Sequence, residues 1–298
     1  MTDATPRAFS QAPIFSPARI WALAWNTLTE LTRLKIFYFL LIFALLVIGN
    51  SFFMARLTPE EEFQMLKDIS LGAMSIFTSL LAILATAMLL PKDLEDRTTF
   101  TILAKPVPRW EYLAGKLLGI FLLLALSITM MTALFLTVLW LREQGALADA
   151  RAQLTGEDLT RAVASIQAVT FNANLVPGIL IIFVKAALLA ALTLMISAFA
   201  TSAIFTMMIT IAIYFISHLQ ATAREYWLEG VDIRWWTKPI LALVALIFPD
   251  LQAFSLTDDI VAGNPITAAL FTQTATLGLL YIGVYYLLAC FFFSNREL

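Results

Sequence analysis

The chain has 298 residues, of which 60% are hydrophobic and 13% charged, with mean hydropathy +0.85 and formal net charge −2. Soluble domains carry about 25% charged residues, so this composition excludes a soluble globular fold, and nucleic acid is not among the expected partners. One cysteine, Cys290, and one histidine, His218, exclude an intrachain disulfide, a CxxC motif and a multi-histidine metal site within the chain.

Residues 1–16 are polar and proline-containing with no apolar core, so no secretory signal is expected. Over residues 17–35, Ile20, Leu23, Ala24, Leu28, Leu31 and Leu34 recur at helical spacing among Arg19, Glu30, Arg33 and Lys35. This pattern predicts an amphipathic helix lying on the membrane surface, with lipid as its partner.

Six apolar runs are then long enough to cross a hydrocarbon core about 30 Å thick. They are Ile36–Phe53, Ile69–Leu90, Leu117–Leu141, Pro177–Phe199, Ser202–Leu219 and Ala268–Phe293. All are expected to be helices, because a backbone exposed to lipid must satisfy its own hydrogen bonds. A seventh run, Pro239–Phe248, has proline near both ends and would reach only about 15 Å as a helix. It reads as a re-entrant or interfacial segment before the last span, anchored by Trp235 and Trp236. The expected fold is thus an all-α integral membrane protein forming one transmembrane domain over residues 1–298.

With the N-terminus cytoplasmic, ten Lys and Arg fall on short inner segments and eight on longer outer ones. This favours cytoplasmic N- and C-termini. The outer segments, 142–176 and 220–267, are large. Thr58-Pro-Glu-Glu61 and Thr155-Gly-Glu-Asp158 look like helix starts, predicting short helices on the outer face.

Segment 91–116 holds nine of the chain's forty Asp, Glu, Lys and Arg residues between two apolar runs. Asp93 can cap a helix whose first turn holds Glu95 and Asp96, as the helix dipole prefers. That helix runs through Arg97-Thr-Thr-Phe-Thr-Ile-Leu-Ala104, with Lys105 at its end, and stops at Pro106 and Pro108. Its faces mix charge (Glu95, Arg97) with apolar groups (Leu94, Phe100, Ile102, Leu103). Such a helix suits docking into a cleft of a soluble partner; the plainer reading is a charged loop that fixes topology.

The run Glu95-Asp-Arg-Thr-Thr-Phe-Thr-Ile-Leu-Ala-Lys-Pro-Val-Pro-Arg-Trp-Glu-Tyr-Leu-Ala-Gly-Lys116 resembles the second-to-third-span loop of permease subunits in the ABC transporter type-2 family. The matching positions are Glu95, Asp96, Leu103, Lys105, Pro106, Val107, Pro108, Arg109, Glu111, Tyr112, Leu113, Gly115 and Lys116. Thr98, Thr99 and Phe100 replace the glycine and acidic residue usual inside that helix. The entry segment Leu31-Thr-Arg-Leu-Lys-Ile-Phe-Tyr-Phe-Leu-Leu-Ile42, the short turn at Ala200–Thr201, Ile247-Phe-Pro-Asp-Leu-Gln-Ala-Phe254 and the ending Ser294-Asn-Arg-Glu-Leu298 are also similar. The resemblance implies a membrane subunit of an exporter in the bacterial inner membrane, pairing with a separate ABC ATPase and a second copy or related permease. It makes 91–116 the coupling segment, with Asp93, Leu94, Glu95, Asp96, Arg97, Phe100, Leu103, Lys105 and Arg109 as ATPase-contact residues. ATP and Mg would be held by the partner. This chain has no GxxxxGK[ST] loop, since its Gly115-Lys116 pair is followed by Leu117.

Two spans carry polar stripes. Gly72, Ser75, Ser79, Ala82 and Thr86 lie on one face of the second; Ser202, Thr206, Thr210 and Ser217, with Tyr214 near, follow a face of the fifth. One reading is close helix packing. The other is a weakly polar pathway formed by Ser75, Ser79, Thr86, Thr206, Thr210, Tyr214 and Ser217, and the resemblance favours it. Lys185 stands inside the fourth span, where a lysine costs about 2.5–3.5 kcal/mol. It either snorkels to the outer surface or has a buried partner such as Asp250 or a backbone carbonyl. His218 reads as a helix-end group, Asp250, Asp258 and Asp259 as loop acids or an outer gate, and Tyr281, Tyr285 and Tyr286 as packing or anchoring residues.

Two functions follow. One is an ATP-driven export permease; the other is a membrane scaffold that relays ATPase motion to an outer-side accessory protein without moving a substrate itself. The chain is not expected to be an enzyme, because no nucleophile–base cluster, paired intramembrane carboxylates or metal spacing is evident. The acidic residues avoid the span interiors, which disfavours an ion-coupled transporter.

Overall fold

The computed structural model describes residues 16–50, 59–95, 108–172, 174–229, 248–262, 264 and 266–295. Among them the chain is helical with no strand. The helices are α1 (Pro17–Thr32), α2 (Lys35–Asn50), α3 (Pro59–Glu95), α4 (Arg109–Gln153), α5 (Glu157–Thr170), α6 (Leu175–Phe199), α7 (Ala203–Glu229), α8 (Thr257–Ala262) and α9 (Ala268–Ser294), with a 3-10 turn at Gln252–Phe254.

α6 is the centre. Its run Ala186–Leu194 is buried without interruption, as expected of a helix that is hydrophobic all round. It packs against α9, α3 and α4. Four helices are long and apolar enough to cross a membrane, namely α3, α4, α6 and α9. The α1–α2 pair, bent by 68°, makes a fifth candidate, and the apolar part of α7, Ala203–His218, is shorter. The hydropathy pattern predicts six spans; the described residues give four or five.

Several boundaries differ from expectation. The helix start at Pro59 opens no separate outer helix. No breaker separates Glu61 from Ile69, and Phe63 and Leu66 are buried, so the turn runs straight into the second span as α3. At 37 residues, α3 is about 55 Å long, well beyond a hydrocarbon core. α4 has 45 residues and so reaches about 68 Å, absorbing the start of the outer segment that begins at 142. α5 is capped by Gly156 and not by Thr155. Gly156 has φ 69°, a left-handed geometry that glycine adopts without the Cβ clash. Segment 91–116 is also divided differently: its first five residues close α3 and its last eight open α4. α3 continues past Pro91 to Glu95, so Asp93 lies within its last turn and not at a helix start; the rest of the predicted helix, 96–104, lies outside the described residues. The re-entrant segment Pro239–Phe248 lies outside the described residues except for Phe248.

Candidate functional site

Four helix ends meet on one face of the bundle, which we term the α1 end: α1, the C-terminus of α3, the N-terminus of α4 and the C-terminus of α9. They include both stems of segment 96–107, which joins α3 to α4 and lies outside the described residues.

α1 docks on α4 through two glycines one helical turn apart. A Cβ at Gly115 would lie 2.5 Å from Leu23 Cβ, and one at Gly119 would lie 2.6 Å from Thr27 Cβ and 2.8 Å from the Ala24 carbonyl oxygen. Only hydrogen allows this approach, the same device by which small residues four apart bring membrane helices together. The buried face of α1 is Ala24, Thr27 and Leu31, whereas Trp21 and Trp25 are exposed. The predicted periodicity is therefore correct, and the exposed indoles suit headgroup depth.

Charge then fixes the dock at both ends. The Arg19 guanidinium donates to both carboxylate oxygens of Glu111, from Nε at 2.8 Å and Nη2 at 3.1 Å, and the Ser16 amide donates to the same carboxylate at 3.0 Å. Glu111 is fully buried, so these donors replace its lost hydration. At the other end of α1, Glu30 receives Lys92 of α3 at 3.0 Å and sits 3.5 Å from Lys116 of α4. Lys116 is buried and lies over the Tyr112 ring. Burial pushes the Glu30 carboxyl up, but the two lysines outweigh it and hold it below its ordinary value.

Thus one acidic residue of α1 holds both stems of the 96–107 segment. The second stem is tied again, because Arg109 Nη1 donates to the carbonyls of Phe293 at 3.1 Å and Ser294 at 2.6 Å. These carbonyls close α9, where a cation is favoured by the helix dipole. Tyr286 Oη donates to the Trp110 carbonyl at 2.8 Å.

Of the predicted contact residues, Arg109 is therefore a structural tie to α9 in this chain. Asp93, Leu94 and Glu95 form the last turn of α3, their side chains lying outside the described set. Asp96, Arg97, Phe100, Leu103 and Lys105 lie outside the described residues. The sequence reading missed Glu30, Lys92, Glu111 and Lys116 as a set. The signal that was present is the Gly115-x-x-x-Gly119 spacing.

A family model described as ABC-2 family transporter protein matches residues 21–298. The chain belongs to the ABC-2 transporter family. The match takes in the nine described helices but the start of α1, and it supports the role of a membrane permease. ABC-2 permeases generally partner with an ABC ATPase. A search of curated proteins gave no match.

In this ABC-2 protein the polar stripes are turned inward. Ser79, Thr86, Thr206, Thr210 and Ser217 are buried, and Ser75 and Tyr214 are half-buried. Ser79 Oγ donates to the Ser75 carbonyl and Thr210 Oγ1 to the Thr206 carbonyl, each within its own helix. The exposed face of α7 is apolar, with Ile204, Phe205, Met208, Phe215 and Ile216.

Lys185 does not reach the surface. It is 3% exposed, and its ammonium donates to Ser75 Oγ of α3 at 3.3 Å and meets His218 Nε2 of α7 at 3.4 Å. Its partners are thus a hydroxyl and an imidazole, where Asp250 or a carbonyl was expected. The helix straddles the bundle centre, so a side chain about three turns in from its Leu175 end finds neighbours before it finds water. Asp250 Oδ1 instead accepts from the amides of Gln252 and Ala253, capping the 3-10 turn.

The end opposite α1, the far end, is also braced. Arg142 of α4 pairs with Glu62 of α3 at 2.9 Å, and Lys67 Nζ donates to the Val169 carbonyl in the last turn of α5. Asn174 donates to the Asn264 carbonyl at 2.6 Å and accepts from the Ile266 amide at 3.2 Å.

Proposed function

We propose that this chain is the permease subunit of an ATP-driven exporter. It crosses the bacterial inner membrane six times, with both termini cytoplasmic, and α2 and α7 complete the span count. The α1 end is the cytoplasmic face. The 96–107 segment docks on a separate ATPase that binds ATP and Mg, and two permeases with two ATPases form the working unit.

The observation that carries this reading is the framing of the 96–107 segment. α1 is clamped to both of its stems through Glu30 and to the second stem again through Arg19 and Glu111. A segment that only set topology would need no such frame. A push on it from a partner would move α1, α3 and α4 together. The inward polar stripes of α3 and α7 then serve as a closed pathway whose opening requires that movement.

Co-purification tests the reading. The tagged, detergent-solubilised chain should retain an ATPase encoded beside it, and Phe100→Asp should release that ATPase while the chain stays folded. A folded wild-type chain that retains no ATPase contradicts it.

A second reading is favoured by the braced far end, where α4 extends past the hydrocarbon and α5 is pinned back onto α3. A rigid outer projection suits a scaffold that relays ATPase motion to an outer-side protein. Reconstituted vesicles separate the two: the exporter reading requires net movement of a substrate across the membrane.

A further inference from the structure

The chain's sole histidine sits where three helices and a folded-back segment meet at the far end. His218 Nε2 faces the Lys185 ammonium at 3.4 Å, and Nδ1 lies 3.3 Å from the Tyr214 carbonyl. Its ring also lies against the Tyr214 ring, with centroids 4.7 Å apart. A protonated lysine has three donors and no acceptor, so against the Lys185 ammonium Nε2 accepts and Nδ1 carries the ring's single proton toward the Tyr214 carbonyl. With Lys185 charged, the arrangement fits the neutral ring with its proton on Nδ1. A second proton, on Nε2, would set an N–H of a cationic ring against a buried ammonium, where like charges are poorly screened.

Among the described residues, the groups near the ring come from three helices and the folded-back segment. α6 contributes Lys185, and α7 itself contributes Tyr214. α3 contributes the uncharged Ser75, reached through Lys185. The folded-back segment contributes Asp250, brought beside His218 because its neighbour Leu251 bonds to Ser217. That segment is held to α7 by the Leu251 amide, which donates to the Ser217 carbonyl at 3.4 Å.

We propose that His218 is a proton-operated switch at the close of the apolar part of α7, Ala203–His218. Neutral, it accepts from Lys185 and joins α7 to α6 and, through Ser75, to α3. Protonated, it leaves Lys185 for the Asp250 carboxylate and frees α7 from α6 at that level. Acidification on the far side thereby loosens one end of the bundle while the α1 end stays clamped. This stands apart from the transport reading, since it concerns the resting chain and needs no ATPase.

The test uses the full chain in lipid nanodiscs. Nitrogen-15 histidine resonance reads His218 alone. Spin labels at Ile76→Cys and Ile216→Cys, exposed positions on α3 and α7, in a Cys290→Ala background, read the helix separation. At pH 7.5 the ring is expected to be neutral with the proton on Nδ1. On acidification to pH 5 the ring becomes cationic and the label distance lengthens. His218→Gln and Lys185→Met should each abolish the pH response of the distance, and Asp250→Asn should diminish it. Should Lys185→Met fail to insert, His218→Gln carries the same test. A neutral wild-type ring protonated on Nε2, a label distance that ignores pH, or a pH response that survives His218→Gln would each overturn the proposal.

Discussion

Gly119 of α4 and Thr27 of α1 approach so closely that a methyl group at Gly119 would come within 2.6 Å of Thr27 Cβ. The Ala24 carbonyl, 2.8 Å from the same point, is backbone and cannot turn aside. Gly119→Leu should therefore lift α1 off α4, at a cost of about 1–3 kcal/mol for overpacking. Hydrogen exchange would show this as lost protection over Pro17–Thr32, with the interior of α6 unaffected.

Glu30 gives a pH dependence with a definite sign. Its folded-state pKa is depressed below the ordinary value of 4.5. The stability it contributes is therefore fully present above that value and is lost as pH falls through the folded pKa. At neutral pH, Glu30→Gln should destabilise the chain by about 1–3 kcal/mol, since charge-assisted hydrogen bonds are lost. Thermal melts should show the gap between wild type and variant closing as pH falls below about 4.5.

Much of this architecture is legible in the sequence, and the limits are physical. Apolar length reports the helices well: the run Pro177–Phe199 becomes α6, and the break at Ala200–Thr201 separates it from α7. Helix ends outside the hydrocarbon are less legible. α3 starts and α4 ends in polar residues because neither 60–68 nor 142–153 holds a proline, and hydropathy marks only the part in lipid. The α1 period was readable because it is local. The pairing of Arg19 with Glu111 was not, because partners 92 positions apart leave no mark in a linear pattern. Lys185 was recognisable as a buried cation, but its partners lie on two other helices.

Arg109 predicts a role at a distance from the 96–107 segment. Arg109→Ala removes the donor to the Phe293 and Ser294 carbonyls. The end of α9 should then fray, with a loss of about 1.5–3 kcal/mol for hydrogen bonds to a charged group. Limited proteolysis should cut near Ser294 faster than in the wild type, while α1 stays docked.

At the far end, Lys67→Met should leave the Val169 carbonyl without its lysine donor. The expected cost is about 1–3 kcal/mol, concentrated in α5. Exchange of α5 amides should rise well before that of α3, because α5 is a short helix on the outside of the bundle.

The most direct test of the account asks whether the frame transmits motion. The wild-type chain and the double variant Arg19→Ala, Glu30→Gln are each reconstituted with the ATPase, and binding and hydrolysis are measured on the same samples. The account predicts that both bind the ATPase equally, because the 96–107 segment is unaltered, but that in the variant hydrolysis falls to the rate of the ATPase alone. Hydrolysis at the wild-type rate, with exchange showing α1 released from α4, would contradict it.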